Sequence, residues 1–151
     1  MRKLLKSLAF IVLAISFLVS AAGCNIANRY VLDRNIREAV TSVGLDPEHE
    51  GLRIEQIYDD YEMGDGVKIY KLSFGEKAAA LFEDWIELTE EHEDLDECLY
   101  LAGQAWVTHG IKQGRWIMID RESKKPARGL SDCFIGIYNA DENIAYVLNC
   151  C

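Results

Sequence analysis

The first 23 residues differ in kind from everything that follows them. They contain three basic and no acidic side chains, and an apolar stretch interrupted by only two serines runs from Leu8 to Gly23. A basic start, an apolar run and a close of small residues are typical of an export signal. The sequence therefore predicts a signal peptide over residues 1–23 and one folded domain over residues 24–151.

The residue directly behind this segment makes the signal more specific. Cys24 follows Ala21, Ala22 and Gly23, and this arrangement resembles the lipobox of bacterial lipoproteins, although Ala21 stands where Leu is commonest. The resemblance implies thioether-linked diacylglycerol on Cys24, cleavage before it, and a domain anchored to the bacterial membrane outside the cytoplasm. An uncleaved signal anchor and simple secretion are the alternatives.

Composition and motifs exclude several classes of function. The chain carries a net charge of −9 and all of its 25 acidic residues follow residue 23, so a phosphate backbone is repelled and we expect no nucleic-acid partner. The three histidines, His49, His92 and His109, lie far apart without metal-ligand spacing. The acidic run that ends at Glu97 has no calcium-loop pattern and indicates a solvated face and loop. We expect neither a metal nor a cofactor.

Periodicity predicts an α+β domain with an antiparallel sheet of about five to six strands and two main helices packed on one face. Cys98–Val107 is ambiguous between a strand and a helical turn. The late strands lack crossover helices, which disfavours a parallel sheet. The predicted elements are a helix over Asn25–Val43 that stops at Gly44, strands over 52–60 and Val67–Phe74 around a Gly64–Gly66 turn, a helix over Gly75–Leu88, a strand over Trp116–Asp120, and a hairpin of Cys133–Tyr138 with Ile144–Leu148.

Parts of these strands carry a second resemblance. The stretches Gly114–Ser123, Cys133–Asn139 and Asn143–Leu148 resemble small uncharacterised exported lipoproteins of Firmicutes, and Lys68–Phe74 is similar too. The resemblance covers about half of the domain and is structural rather than chemical. It implies the same fold and location and carries no activity with it.

Four cysteines remain after the lipidation site is set aside. Cys98, Cys133, Cys150 and Cys151 allow three pairings, and their spacing does not choose among them. A bridge from Cys98 or Cys133 to a terminal cysteine would fasten the last strand to the sheet, with a contribution of about 2–4 kcal/mol. Thiols without a bridge are the alternative, since no Cys-x-x-Cys redox motif is present.

One loop of the acidic domain is basic. Arg121, Lys124, Lys125 and Arg128 surround Pro126, and together they could contact anionic lipid headgroups or a wall polymer. A solvated connection is the alternative interpretation.

Aromatic side chains offer a second candidate surface. Trp106, Trp116, Tyr138 and Tyr146 could form a recognition patch, because Trp and Tyr provide contact area at low entropic cost. Aromatic residues at strand positions also belong to many protein cores.

These observations favour a binding or interaction module over an enzyme. We expect a lipoprotein anchored through Cys24 whose domain contacts an envelope protein or a wall component. One alternative is a small envelope hydrolase that uses paired carboxylates from Asp120, Glu122 or Asp132, which would require a raised pKa in a concave pocket. A structural assembly subunit is the other alternative, and an exposed apolar patch would favour it.

Overall fold

The computed structural model describes residues 34–61, 65–89, 92–127 and 132–150. The chain divides into two compact units, Met1–Asn35 and Ile36–Cys151, and the sheet described below lies in the second. The predicted signal peptide, Cys24, Arg128 and Cys151 lie outside the described residues. Among the residues that are described, no helix is both long enough and apolar enough to span a bilayer.

Six strands form one sheet in the order β1-β2-β6-β5-β4-β3, and every neighbouring pair is antiparallel. With two α-helices in the described part of the chain, this confirms the α+β class. In chain order the elements are α1 (helical over 34–42), β1 (Arg53–Asp59), β2 (Val67–Ser73), a first 3-10 turn (Ala79–Phe82), β3 (Ile86–Glu87), α2 (Glu93–Leu101), a second 3-10 turn (Ala105–Val107), β4 (Gly114–Asp120), β5 (Cys133–Asn139) and β6 (Ile144–Cys150).

The predicted hairpin near the end of the chain is confirmed as β5 and β6. Asn139 accepts hydrogen bonds at its side-chain oxygen from the backbone N–H groups of Asp141 and Glu142, at 3.1 and 3.3 Å. Asn143 adopts a left-handed conformation with φ of 56°. Such local bonds and positive φ angles are what Asn supplies in tight turns. The turn therefore fixes the register in which the two strands pair.

The predicted stop of the first helix is also confirmed. Gly44 has φ of 84°, and its N–H donates to the carbonyl of Thr41 at 3.0 Å while the N–H of Leu45 donates to that of Val40 at 3.1 Å. This pair of bonds is a Schellman motif, which satisfies the last carbonyls of a helix. Residues 34–42 are helical as predicted, and the earlier part of the predicted helix lies outside the described residues.

The prediction of a helix over Gly75–Leu88 is wrong. That segment holds only the first 3-10 turn and the two-residue strand β3. Ala78, Phe82 and Trp85 join one core cluster, whereas Leu81 is 40% exposed and Leu88 packs against the other cluster. A guanidinium nitrogen of Arg115 donates to the carbonyls of Glu83 and Trp85. A tertiary contact from β4 thus replaces the intrahelical bonds that the spacing suggested.

The acidic run is exposed where the structure describes it, as predicted, but its last part is helical and not a loop. Glu93 begins α2, whose buried residues Leu95, Cys98 and Leu99 follow the three-and-four spacing of a helix face. Glu93, Asp94 and Asp96 of the acidic run occupy the first turn of α2. Carboxylates there are favoured by the partial positive charge of the helix N-terminus.

The helices pack on opposite faces of the sheet, not on one face as predicted. The central strand β5 is buried along its whole length, so both of its faces require a covering layer. α1 and the first 3-10 turn cover one face, named here the aromatic face, whose core includes Tyr70, Phe82, Trp85, Phe134 and Tyr138. α2 and the second 3-10 turn cover the other, named the sulfur face, whose core includes Cys98, Met118, Cys133 and Cys150.

Candidate functional site

Two neighbouring cavities lie beside the short strand β3. Their volumes are about 350 and 520 Å³, and they share Leu88 and Lys112 in their walls. We call them together the β3 groove. Both volumes lie within the range of small-molecule sites. The first cavity is also lined by Ala79, Glu87, Gln113, Gly114, Arg115, Tyr138 and Ala140, and the second by Thr89, His92, Asp96, Thr108 and Ile111.

The two cations of the β3 groove differ in their availability. Arg115 donates to the carbonyls of Glu83 and Trp85 and lies 3.8 Å from a carboxylate oxygen of Glu87. It is therefore occupied in holding β3 against β4. Lys112 makes no ion pair with any described residue, so its ammonium group is the charge that the groove offers to a ligand.

His92 and Asp96 provide the only imidazole–carboxylate pair among the described residues of the groove. His92 Nε2 lies 3.4 Å from an Asp96 oxygen across one turn of α2. His92 Nδ1 is buried and has no hydrogen-bond partner in the described part of the chain. The Thr108 hydroxyl, which lines the same cavity, donates to the carbonyl of Ala105. The arrangement can hydrogen-bond a ligand, and it does not place a hydroxyl nucleophile on the imidazole.

The three carboxylates of the hydrolase alternative do not line either cavity of the β3 groove. Hydrogen bonds from Ser123 to the Asp120 carboxylate, together with the Lys124 charge, hold the pKa of Asp120 below its usual value. Asp132 is ion-paired with Arg121, and Glu122 is exposed on the turn. A general acid needs a raised pKa. The pKa of Asp120 is shifted in the opposite direction, and none of the three carboxylates lines the groove, so nothing here supports paired-carboxylate chemistry.

The predicted basic surface is only partly assembled. Arg121 lies 4.5 Å over the Phe134 ring, pairs with Asp132 and Glu38, and donates to the Asn149 side chain. Its charge is therefore used within the fold. The turn that follows is tied by the Lys125 carbonyl, which accepts from the Asp120 N–H at 2.8 Å. Lys124 and Lys125 are exposed on this turn. The Lys124 ammonium lies 5.4 Å from the centroid of the Phe134 ring, so Lys125 is the more available of the two to an anionic surface. Arg128 lies outside the described residues.

The aromatic candidates separate into core and surface. Trp116 and Tyr138 are buried, and Tyr146 is partly buried against the sulfur-face core. Trp106 is 49% exposed and packs edge-on against Tyr146, with ring centroids 6.0 Å apart. The predicted four-residue patch therefore reduces to Trp106.

The structure adds two exposed apolar residues that sequence reasoning missed. Tyr100 and Leu101 are 77% and 67% exposed at the C-terminal end of α2, the helix that contacts the turn holding Trp106. We call Tyr100, Leu101 and Trp106 the α2 apolar end. Their exposure could have been predicted from their positions, because in a helix that begins at Glu93 both residues lie away from the buried face.

Three of the candidate cysteines share the sulfur face. Cys133 of β5 stands directly opposite Cys150 of β6 in the antiparallel register, and Cys98 Sγ of α2 lies 3.8 Å from Met118 Sδ. All three thiols are buried. Sequence spacing could not bring any two of these cysteines together, whereas strand register places Cys133 opposite Cys150. Cys151 lies beyond the described residues.

Comparison with protein-family models, curated proteins and solved structures finds no match to this chain. Within the ranges that the structure describes, no three His, Cys, Asp or Glu side chains are arranged to hold a metal ion.

Proposed function

We propose that this protein is a lipid-anchored extracytoplasmic binding module of a bacterial cell envelope. The observation that carries the proposal is Cys24 placed directly behind Ala21-Ala22-Gly23 at the end of a basic and then apolar segment. Several acyl chains on one residue hold a domain to a bilayer far better than one chain does. Confinement to that thin layer raises the effective concentration of the domain for partners located there.

Two surfaces of the domain support a binding role. The α2 apolar end exposes a Tyr, a Leu and a Trp, and aromatic residues are enriched in the contact regions of protein interfaces. The β3 groove offers the ammonium group of Lys112 beside the His92–Asp96 pair. Of the partner classes, we favour another envelope protein, because the more exposed of these surfaces is apolar.

The anchor is tested by feeding cells an alkyne-tagged fatty acid and comparing the native chain with Cys24→Ala. We expect the tag on the native chain and none on the variant, which would also keep its uncleaved signal. Cys98→Ala is the matched control, because it removes a cysteine of the domain and should leave tagging unchanged. Tagging that survives in Cys24→Ala would reject lipidation at this residue.

The partner surface is tested with a photo-crosslinking residue placed in the anchored full-length chain. Tyr100 is the test position and Glu55, exposed on the edge strand β1, is the control. We expect a discrete crosslinked product at Tyr100 that disappears when Trp106→Lys is added, and no such product at Glu55. Equal crosslinking at both positions, or a product insensitive to Trp106→Lys, would contradict binding through the α2 apolar end.

A further inference from the structure

The two cysteines at the ends of the last hairpin face each other across the sheet. Cys133 begins β5, Cys150 ends β6, and the antiparallel register pairs them directly. Both side chains belong to the sulfur-face core, with exposures of 0% and 3%. Directly opposed positions of antiparallel strands bring Cα atoms about 4.5–5.5 Å apart, within the separation that a disulfide requires.

The surroundings of Cys133 and Cys98 shift the pKa values of their thiols in opposite directions. A hydrogen bond from Cys150 lowers the pKa of Cys133, and the charge of Arg121 acts in the same direction. Burial raises the pKa of Cys98, and nearby acidic charges of α2 act in the same direction. Thiolates are the reactive form in disulfide chemistry. In the folded sheet, the thiol that faces a second thiol is therefore also the one held closer to its thiolate form.

We propose that Cys133 and Cys150 form a cross-strand disulfide that fastens the last strand to the sheet, while Cys98 stays a thiol packed on Met118. The inference rests on the proposed function, because disulfides persist in oxidising compartments and the proposed export places the domain in one. It goes beyond that proposal by selecting one pair among the four candidate cysteines and by leaving Cys98 without a bridge.

The oxidant is a dithiol–disulfide exchange partner, either a protein or a small disulfide. Cys133 thiolate attacks one sulfur of the oxidant, which forms a mixed disulfide and releases the other sulfur as a thiolate. Cys150 then loses its proton and attacks Cys133 sulfur, which releases the second thiolate. The two cysteines give up two electrons and two protons, and the oxidant becomes a dithiol. Because both thiols are buried in the folded sheet, the exchange occurs before β6 is docked on β5.

The test maps cysteines in the full-length chain purified from membranes without reductant. Unfolded protein is alkylated with a first reagent, reduced, and alkylated with a second. Cleavage after Arg128 and after Glu142 places Cys133 and Cys150 on separate peptides. We expect Cys98 to carry the first label and Cys133 and Cys150 the second. First label on Cys133 in the native chain would contradict the pair.

Variants separate this pairing from bridges that use the neighbouring terminal cysteine. Cys150→Ser should expose Cys133 to the first label, whereas Cys151→Ser and the control Cys98→Ser should leave its protection unchanged. Protection of Cys133 that persists in Cys150→Ser would overturn the proposal.

A refolding arm distinguishes failure of the pair from failure of the export proposal. The full chain is reduced, unfolded and refolded in detergent with a mixture of reduced and oxidised glutathione. A Cys133–Cys150 bridge that forms here but is absent from the cell-derived protein would support the pair and contradict export to an oxidising compartment. Absence of the bridge in both samples would reject the pair itself.

Discussion

The two faces of the sheet are packed by different means. On the aromatic face, Phe82 stacks on Tyr138 with ring centroids 3.9 Å apart and an interplanar angle of 10°, and Trp85 meets Phe82 edge-on at 4.8 Å. On the sulfur face, Leu95 and Leu99 of the regular helix α2 pack over aliphatic and sulfur-bearing side chains. Each face is covered by one α-helix and one 3-10 turn, but the aromatic face also depends on a few large directional contacts from the irregular segment that holds Phe82 and Trp85.

This difference indicates which contacts stabilise the cover on each face of the sheet. The irregular segment of the aromatic face has few backbone bonds of its own, so its aromatic rings and side-chain hydrogen bonds position it. The sulfur face is covered by a helix that satisfies its own backbone. We therefore expect single substitutions to cost more stability on the aromatic face than on the sulfur face.

The largest effect is expected from Phe82→Ala. Phe82 is fully buried and contacts the rings of Phe74, Trp85 and Tyr138, so its loss removes apolar burial and leaves a cavity. The free energy of unfolding should fall by about 3–5 kcal/mol, measured by urea denaturation. Leu81→Ala is the control, because Leu81 is 40% exposed and its truncation should cost far less. Equal losses for the two variants would break the comparison.

The next effect is expected from Asn143→Ala. The Asn143 oxygen accepts from the Ala78 N–H at 2.9 Å and from the Tyr138 hydroxyl at 3.1 Å, and its amide nitrogen donates to the carbonyls of Phe74 and Glu76. This side chain ties the β5–β6 turn to the irregular segment. Its removal should cost about 2–4 kcal/mol, at about 1 kcal/mol for each hydrogen bond.

Asn143→Gly and Glu142→Ala are the controls for that experiment. Glycine relieves the strain of the left-handed conformation, so Asn143→Gly isolates the lost hydrogen bonds, and Glu142 is exposed in the same turn. The denaturation midpoint should fall for both Asn143 variants and stay near the native value for Glu142→Ala. A native midpoint for Asn143→Gly would show that the hydrogen bonds contribute little.

A smaller effect is expected on the sulfur face from Cys98→Ser. The substitution places a hydroxyl in an apolar site beside Met118 Sδ, and an uncompensated buried hydroxyl costs about 1–3 kcal/mol. Cys98→Ala removes the same thiol without adding a polar group and should be the milder change. Thermal or urea denaturation under reducing conditions compares the two. If Cys98→Ser lowers the free energy of unfolding as much as Phe82→Ala does, the expected difference between the two faces is wrong.

The smallest effect at neutral pH is expected from Tyr70→Phe. Tyr70 is fully buried, and its hydroxyl has no hydrogen-bond partner among the described residues. Burial raises its pKa to about 12, with Asp59 and Glu38 adding to the shift and Arg121 opposing it. Removal of an unsatisfied buried hydroxyl should change stability by no more than about 1 kcal/mol at pH 7.

The same tyrosine predicts an alkaline dependence with a definite sign. Below pH 10 both the folded and unfolded chains keep the phenolic proton, so the free energy of unfolding does not change with pH through this group. Between pH 10 and about 12 the unfolded chain releases this proton while the folded chain retains it, and the free energy of unfolding falls by roughly 1 kcal/mol per pH unit. Tyr70→Phe should reduce that slope in urea titrations across this range, and an unchanged slope would contradict the shift.

The parts of the fold that follow local rules could be predicted from the sequence. The β5–β6 hairpin was predictable because Asn139 and Asn143 mark its turn, and the end of α1 because Gly44 supplies a left-handed residue. The segment around β3 was not, since Arg115, about 30 residues away, binds its carbonyls. α2 was missed because the carboxylates that favour a helix N-terminus also resemble a solvated loop.

The candidate site was harder to predict for the same reason. The β3 groove takes part of its lining from β3 and the start of α2, the two places where periodicity misled, so the groove could not be assembled from the sequence. The pairing of Cys133 with Cys150 required strand register, although both residues were candidates from the start. Lys124 and Lys125 are exposed, as a solvated connection predicts. Arg121 is instead held within the fold, because it pairs with Asp132 and lies over the Phe134 ring.

The most direct test of the central claim, a lipid-anchored extracytoplasmic module, is the intact mass of the protein isolated from its native envelope. We predict a chain that begins at Cys24 and carries diacylglycerol, with all of residues 1–23 removed. A full-length chain from Met1 without added lipid would contradict the anchor and, with it, the proposed mode of action.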